Sequence, residues 1–91
     1  MKNIEKAKRD ELTYTLTSSE REIEDNGAVT VYGIGISDNV EEHDEEDISD
    51  DGTAVTELFH QMVDGQVYPE HLQDIVEDFV SEYTVPVKDA D

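Results

Sequence analysis

The chain has 91 residues, 25 acidic and 6 basic side chains, no cysteine and a formal charge of −19. That length makes one domain with a small core, and the missing cysteines exclude a disulfide framework and a thiolate metal site. The acidity argues against direct binding to a nucleic-acid backbone or an anionic membrane, which both need a basic patch, and favours a basic protein or divalent cations as partner.

Charge is unevenly placed. Residues 1–9 hold four of the six basic side chains against one acid and sum to +3, which leaves −22 for the rest. Residues 1–10, MKNIEKAKRD, lack the apolar run of a secretory signal. They are expected to be a flexible basic start without fixed structure. No stretch approaches the roughly 20 apolar residues of a membrane-spanning helix, so a cytoplasmic protein is the expectation.

Glu11–Ser18, ELTYTLTS, alternates Leu12, Tyr14 and Leu16 with threonines. Period two in β-favouring residues predicts a strand with one buried face. Asp25-Asn26-Gly27 carries turn chemistry, because Asn and Gly tolerate positive φ; the ladder ends somewhere between Ser18 and this turn. Ala28–Ser37, AVTVYGIGIS, is the second strand. Tyr32, Ile34 and Ile36 share one face, and Val29, Val31, Gly33 and Gly35 the other. Glycines at alternate positions point to close approach by another backbone or to a bulge. The Gly33-x-Gly35 pair lacks the third glycine and the following helix of a nucleotide loop.

Asp38–Asp51 carries nine carboxylates in fourteen residues. It reads as an exposed loop, with room for a short edge strand near Glu45–Ile48, anchored by Ile48. Thr53–Asp64 places Val55, Leu58, Phe59, Met62 and Val63 at helical spacing. Asp50, Asp51 or Thr53 is suited to cap its start, and Gly65 to end it. A short link then leads to Pro69–Tyr83, where Leu72, Ile75, Val76, Phe79, Val80 and Tyr83 form the broadest apolar stripe in the chain. Pro69 fits a first helical position, and the rest of the fold is expected to pack on this helix. Pro86 stops it, leaving a C-terminal tail at 85–91.

Strands first and helices after predict an α+β domain over residues 11–84. It would have a small two- or three-stranded antiparallel sheet, with two C-terminal helices packed on one face.

Three pieces in this order carry a resemblance: Tyr32-Gly33-Ile34-Gly35-Ile36, then Asp47-Ile48-Ser49 before a helix, then Pro69-x-His71-Leu72-x-Asp74-Ile75-Val76-Glu77-Asp78-Phe79. Over roughly residues 12–83 the chain resembles a family of small uncharacterised proteins of spore-forming Gram-positive bacteria, catalogued as a domain of unknown function. The resemblance implies a single compact bacterial domain and brings no activity, ligand or partner.

Candidate chemistry is sparse. Asp47-x-Ser49-x-Asp51-Gly52 matches the opening of a calcium loop, in which alternate oxygens converge on one ion. Position twelve, where a bidentate Glu belongs, is Leu58. His43, His60 and His71 show no metal-ligand spacing, although His60 and His71 could meet at the helix corner. Asp74, Glu77, Asp78 and Glu82 fall on the polar face of the last helix. Acid–base catalysis by such pairs needs a pocket, and so small a fold leaves little room for one. No catalytic residue, metal ligand or cofactor is therefore assigned. The expectation is a small acidic protein-binding module of regulatory or adaptor character, without enzymatic activity, as monomer or homodimer. Its partner-binding residues are Asp47, Asp50, Asp51, Asp74, Glu77 and Asp78. The alternatives are a calcium protein using the Asp47–Gly52 loop, or an acidic mimic of nucleic acid.

Overall fold

The computed structural model describes residues 2–23 and 27–84. Four strands come first: β1 (Lys2–Arg9), β2 (Leu12–Ile23), β3 (Gly27–Ser37) and β4 (Glu42–Ser49). Helix α1 (Gly52–Asp64) follows. A 3-10 turn (Pro69–His71) then runs directly into helix α2 (Leu72–Thr84). The four strands form one antiparallel meander in the order β1-β2-β3-β4. The architecture is α+β as expected, but the sheet has four strands where two or three were expected.

The extra strand is β1, at the residues expected to be a mobile start. It pairs with β2 from Lys2 opposite Ser18 to Arg9 opposite Leu12. Asp10 and Glu11 make the tight connection, and Asp10 takes φ 57°, the positive value such hairpins require and Asp tolerates. Three inward-facing residues hold the strand down. Ala7 packs against the core, the Arg9 guanidinium donates to the carbonyl of Val63 at 3.0 Å, and Glu5 lies 3.1 Å from His60 on α1.

The central hairpin is long. Pairing runs from Thr13 opposite Ser37 to Ile23 opposite Gly27. Gly27 has φ 95°, in keeping with its turn chemistry; Asp25, Asn26 and the expected tail at 85–91 lie outside the described residues. The expected faces are found. Leu12, Tyr14, Leu16, Ile34 and Ile36 are all buried, and the threonines of β2 lie on the opposite face.

The acidic segment expected as a loop is mostly β4, paired with β3 from Ser37 opposite Glu42 to Tyr32 opposite Ser49. The register slips between Tyr32 and Ile34, where the extra residues of β4 bulge across Gly33. A Cβ at Gly33 would lie 2.7 Å from the carbonyl oxygen of Glu45 and 3.1 Å from the Cα of Glu46. The glycine is the space the bulge occupies. Asp47 within it takes φ 57°. The turn before β4 is set by Asp38, whose carboxylate accepts from the N–H groups of Val40 and Glu41 at 2.8 and 2.7 Å.

Both helices cover the same sheet face. α1 lies against β2 and β3, and α2 against β4. The core rests more on α1 than on α2, contrary to expectation. α1 buries Ala54, Val55, Leu58, Phe59 and Met62, whereas α2 buries Leu72 and Val76. Ile75, Phe79 and Val80 of α2 are partly buried against that core, because α2 sits over the sheet's edge. Each large apolar side chain fully buried here stabilises by about 1.5–3 kcal/mol.

Asp51 is the cap of α1, accepting from Ala54 N–H at 3.1 Å. The C-terminal end differs from expectation by one residue. Gly65 has φ −87°, and the left-handed position is Gln66, φ 51°. Val67 N–H bonds the Met62 carbonyl at 3.1 Å and Gln66 N–H that of Val63 at 3.2 Å. This is a Schellman ending. Pro69 opens the 3-10 turn and is buried, so α2 itself begins at Leu72.

Candidate functional site

β4 and α2 run side by side over the sheet edge, and their facing surfaces leave an open groove of about 420 Å³. Ile48 of β4 and Val76 of α2 form its apolar floor. Glu45, Glu46 and Asp47 stand on the β4 side, and Glu77 on the α2 side. The floor follows from sequence: Ile48 is the inward residue of an otherwise charged strand, and Val76 lies one turn past Leu72 on the buried stripe of α2. The carboxylates follow from the bulge, which turns three consecutive acids of β4 along the groove instead of alternating them across the sheet.

Two of the six expected binding residues, Asp47 and Glu77, meet at this groove. Asp47 is also engaged from the other side of the sheet. Arg21 of β2 reaches over β3 and pairs with it at 2.8 Å, with Glu46 at 3.7 Å. Asp51 is taken up in capping α1, and its own N–H donates to Ser49 Oγ at 3.0 Å. Asp50 is exposed between β4 and α1; Asp74 and Asp78 are exposed on α2 outside the groove. Glu45 and Glu46 were not singled out from the sequence. Their signal lay only in following Asp47's neighbours across a bulge.

The three oxygens named for the calcium reading each have a partner in the structure. Asp47 holds Arg21, Asp51 holds the helix N-terminus, and Ser49 holds the Asp51 N–H, so the three oxygens serve three different partners. Among the described residues no three His, Asp or Glu side chains are placed to hold a metal ion. The histidines do not gather: His60 faces Glu5, His71 lies 3.6 Å from Glu70, and His43 lies 2.9 Å from Glu41. The side chains of Glu82 and Tyr83 lie outside the described residues.

Two titrating groups are moved by their surroundings. The backbone N–H of Glu41 and then that of Val40 hold the Asp38 carboxyl below the usual carboxylate value. Burial pushes the Tyr14 hydroxyl up, and that hydroxyl donates to the Val67 carbonyl at 2.8 Å. Neither lies at the groove. Both belong to the fold, so the groove's means of recognition are charge and shape.

The profile of one sequence family matches residues 1–82, from β1 to within α2. The chain belongs to DUF6514, a family of unknown function. The DUF6514 match takes in residues 1–11, which the resemblance had left outside, in agreement with β1 being an integral strand. Comparison with curated proteins and with solved structures found no match. No helix among the described residues is long and apolar enough to cross a membrane.

Proposed function

We propose that this protein is a small acidic binding module, regulatory or adaptor in character and without catalytic activity. It acts in the cytoplasm of a spore-forming Gram-positive bacterium on a basic segment of another protein. What supports the reading is the groove between β4 and α2, where Glu45, Glu46, Asp47 and Glu77 flank Ile48 and Val76. An apolar strip bordered by carboxylates complements a segment that alternates lysine or arginine with apolar side chains. The charges supply orientation and association rate, and the apolar contact comes from the partly buried Val80 beside Val76, since Ile48 and Val76 are themselves only 8% and 5% exposed.

The test is an amide-shift titration of the full chain, at physiological salt, with a short peptide alternating lysine and leucine and with its glutamate–leucine counterpart. The lysine peptide is expected to give saturable shifts at Ile48, Val76 and Glu77. The double reversal Glu46→Lys/Glu77→Lys should weaken it by about tenfold or more, since removing two close charge pairs is worth at least one decade. Shifts scattered over every acidic surface, unchanged by the double reversal, would overturn the reading.

A further inference from the structure

The helices cover one face of the sheet and leave the other bare. Strand register lays out that bare face in rows. One row runs Lys8, Thr13, Ser37, Glu42 from β1 to β4, and the next runs Lys6, Thr15, Gly35, Asp44. A third begins Asn3, Thr17, Gly33 and ends at the β4 bulge. Over these rows the face is thus cationic along β1, neutral and hydroxyl-bearing along β2 and β3, and anionic along β4; beyond them Arg21 of β2 is already paired with Glu46 and Asp47. The acid does not hang off the edge, because the Asp44 carboxylate leans inward over Gly35. Among the described residues, Lys6, Lys8, Glu42 and Asp44 take part in no ion pair. The strands that carry them lie three spacings apart, about 14 Å, and no ion pair among the described residues spans the cavity that Lys6, Glu42 and Asp44 line between them.

We propose that this face is the interface of a homodimer, with two copies stacked face to face about a twofold axis that runs along the strands between β2 and β3. That rotation exchanges left and right across the sheet and preserves position along the strands. It therefore sets β1 of each copy over β4 of its partner. Lys6 then faces Asp44 and Lys8 faces Glu42, each pair made twice, with the threonines of β2 over Gly33 and Gly35 of the other copy. A twofold axis across the strands would instead set lysine on lysine and carboxylate on carboxylate. The charge pattern selects one of the two isologous arrangements.

Size and net charge limit the strength. Four strands about 4.8 Å apart and eight residues of about 3.3 Å each span roughly 500 Å², which is at the low end for a specific contact. Each copy also carries −19. That repulsion is long-ranged and is screened beyond about 8 Å at physiological salt, whereas facing pairs in contact are screened less. The dimer is expected to be reversible, with a dissociation constant on the order of 10–100 μM.

Analytical ultracentrifugation of the full chain over the micromolar to millimolar range, at physiological salt, tests this. The unaltered chain should sediment as a closed monomer–dimer equilibrium. Lys6→Glu/Lys8→Glu and Glu42→Lys/Asp44→Lys should each be monomeric alone, because each makes the face nearly all of one sign. Mixed in equal amounts they should associate about as tightly as the unaltered chain, because four opposite-charge pairs form again, two of them reversed. All four positions are exposed, and circular dichroism confirms the fold of each variant. Should a double reversal fail to fold, Lys6→Glu mixed with Asp44→Lys is the same test. A monomer throughout the range, a mixture that fails to associate, or growth beyond the dimer into an open ladder through β1 and β4 edges would each overturn the proposal.

Discussion

Tyr14 does two things with one side chain. Its ring is fully buried among residues from β2, β3 and both helical segments. Its hydroxyl ties β2 to the link between α1 and the 3-10 turn by donating to the Val67 carbonyl. Burial raises its pKa above 10.0, with Arg9 opposing as a smaller effect. A raised folded-state pKa means that the fold favours the protonated form. This contribution is fully present below pH 10, and stability falls as the pH rises from there through the folded value. Tyr14→Phe removes the hydrogen bond and leaves a carbonyl short of a partner. It should lower stability by about 1 kcal/mol, or roughly 4–8 °C in melting temperature for a domain of this size. It should also flatten the alkaline fall in stability relative to the unaltered chain. Urea melts of both proteins at neutral and alkaline pH check this; equal slopes would show that the hydroxyl does not feel its burial.

Among the elements, the β3–β4 ladder is the most specialised, because one strand's bulge depends on the other strand's missing side chain. Gly33 and Gly35 look equivalent in sequence and differ in what crowds them. At Gly33 the obstruction is β4 backbone, the Glu45 carbonyl and the Glu46 Cα; at Gly35 it is chiefly the Asp44 carboxylate, which can swing aside. Gly33→Ala should therefore cost about 1–3 kcal/mol as an overpacked site, and Gly35→Ala clearly less. Thermal melts of the two variants decide it, and equal losses would mean that the bulge yields freely.

The same ladder shows what was legible in the sequence. Hairpin and helices were, because Leu12-Tyr14-Leu16 repeats every two residues and Val55, Leu58, Phe59 and Met62 every three or four. β1 was not: its inward positions are Glu5, Ala7 and Arg9, a pattern that holds an edge strand by polar bonds and shows no apolar alternation. β4 was visible only as Ile48, since His43 and Glu45 occupy its other inward-side positions and the bulge breaks the period. The groove was half legible. Asp47 and Glu77 stood out as charge, but nothing in the chain's local pattern says that β4 and α2 lie side by side.

At the scale of the whole molecule, the first ten residues decide whether the fold is a three-stranded sheet with a tail or a four-stranded unit. Removing residues 1–10 takes away the Ala7 packing, the Arg9–Val63 bond and the Glu5–His60 contact. It also uncovers the β2 edge and removes a net +2 from an already acidic chain. The Ala7 packing and the Arg9 bond, about 1 kcal/mol each, are a large fraction of a small domain's margin, and the exposed Glu5–His60 contact adds little. The truncated chain should melt on the order of 10 °C lower or lose its cooperative transition. Two causes compete for that loss, and salt separates them. Added sodium chloride screens charge repulsion but does not replace strand pairing or packing. If β1 is integral, the truncated chain stays well below the full chain at high salt. If its role is only to dilute negative charge, the two melting temperatures converge as salt rises. The packing of Ala7 on the core and the reach of Arg9 to a helix carbonyl favour the first outcome.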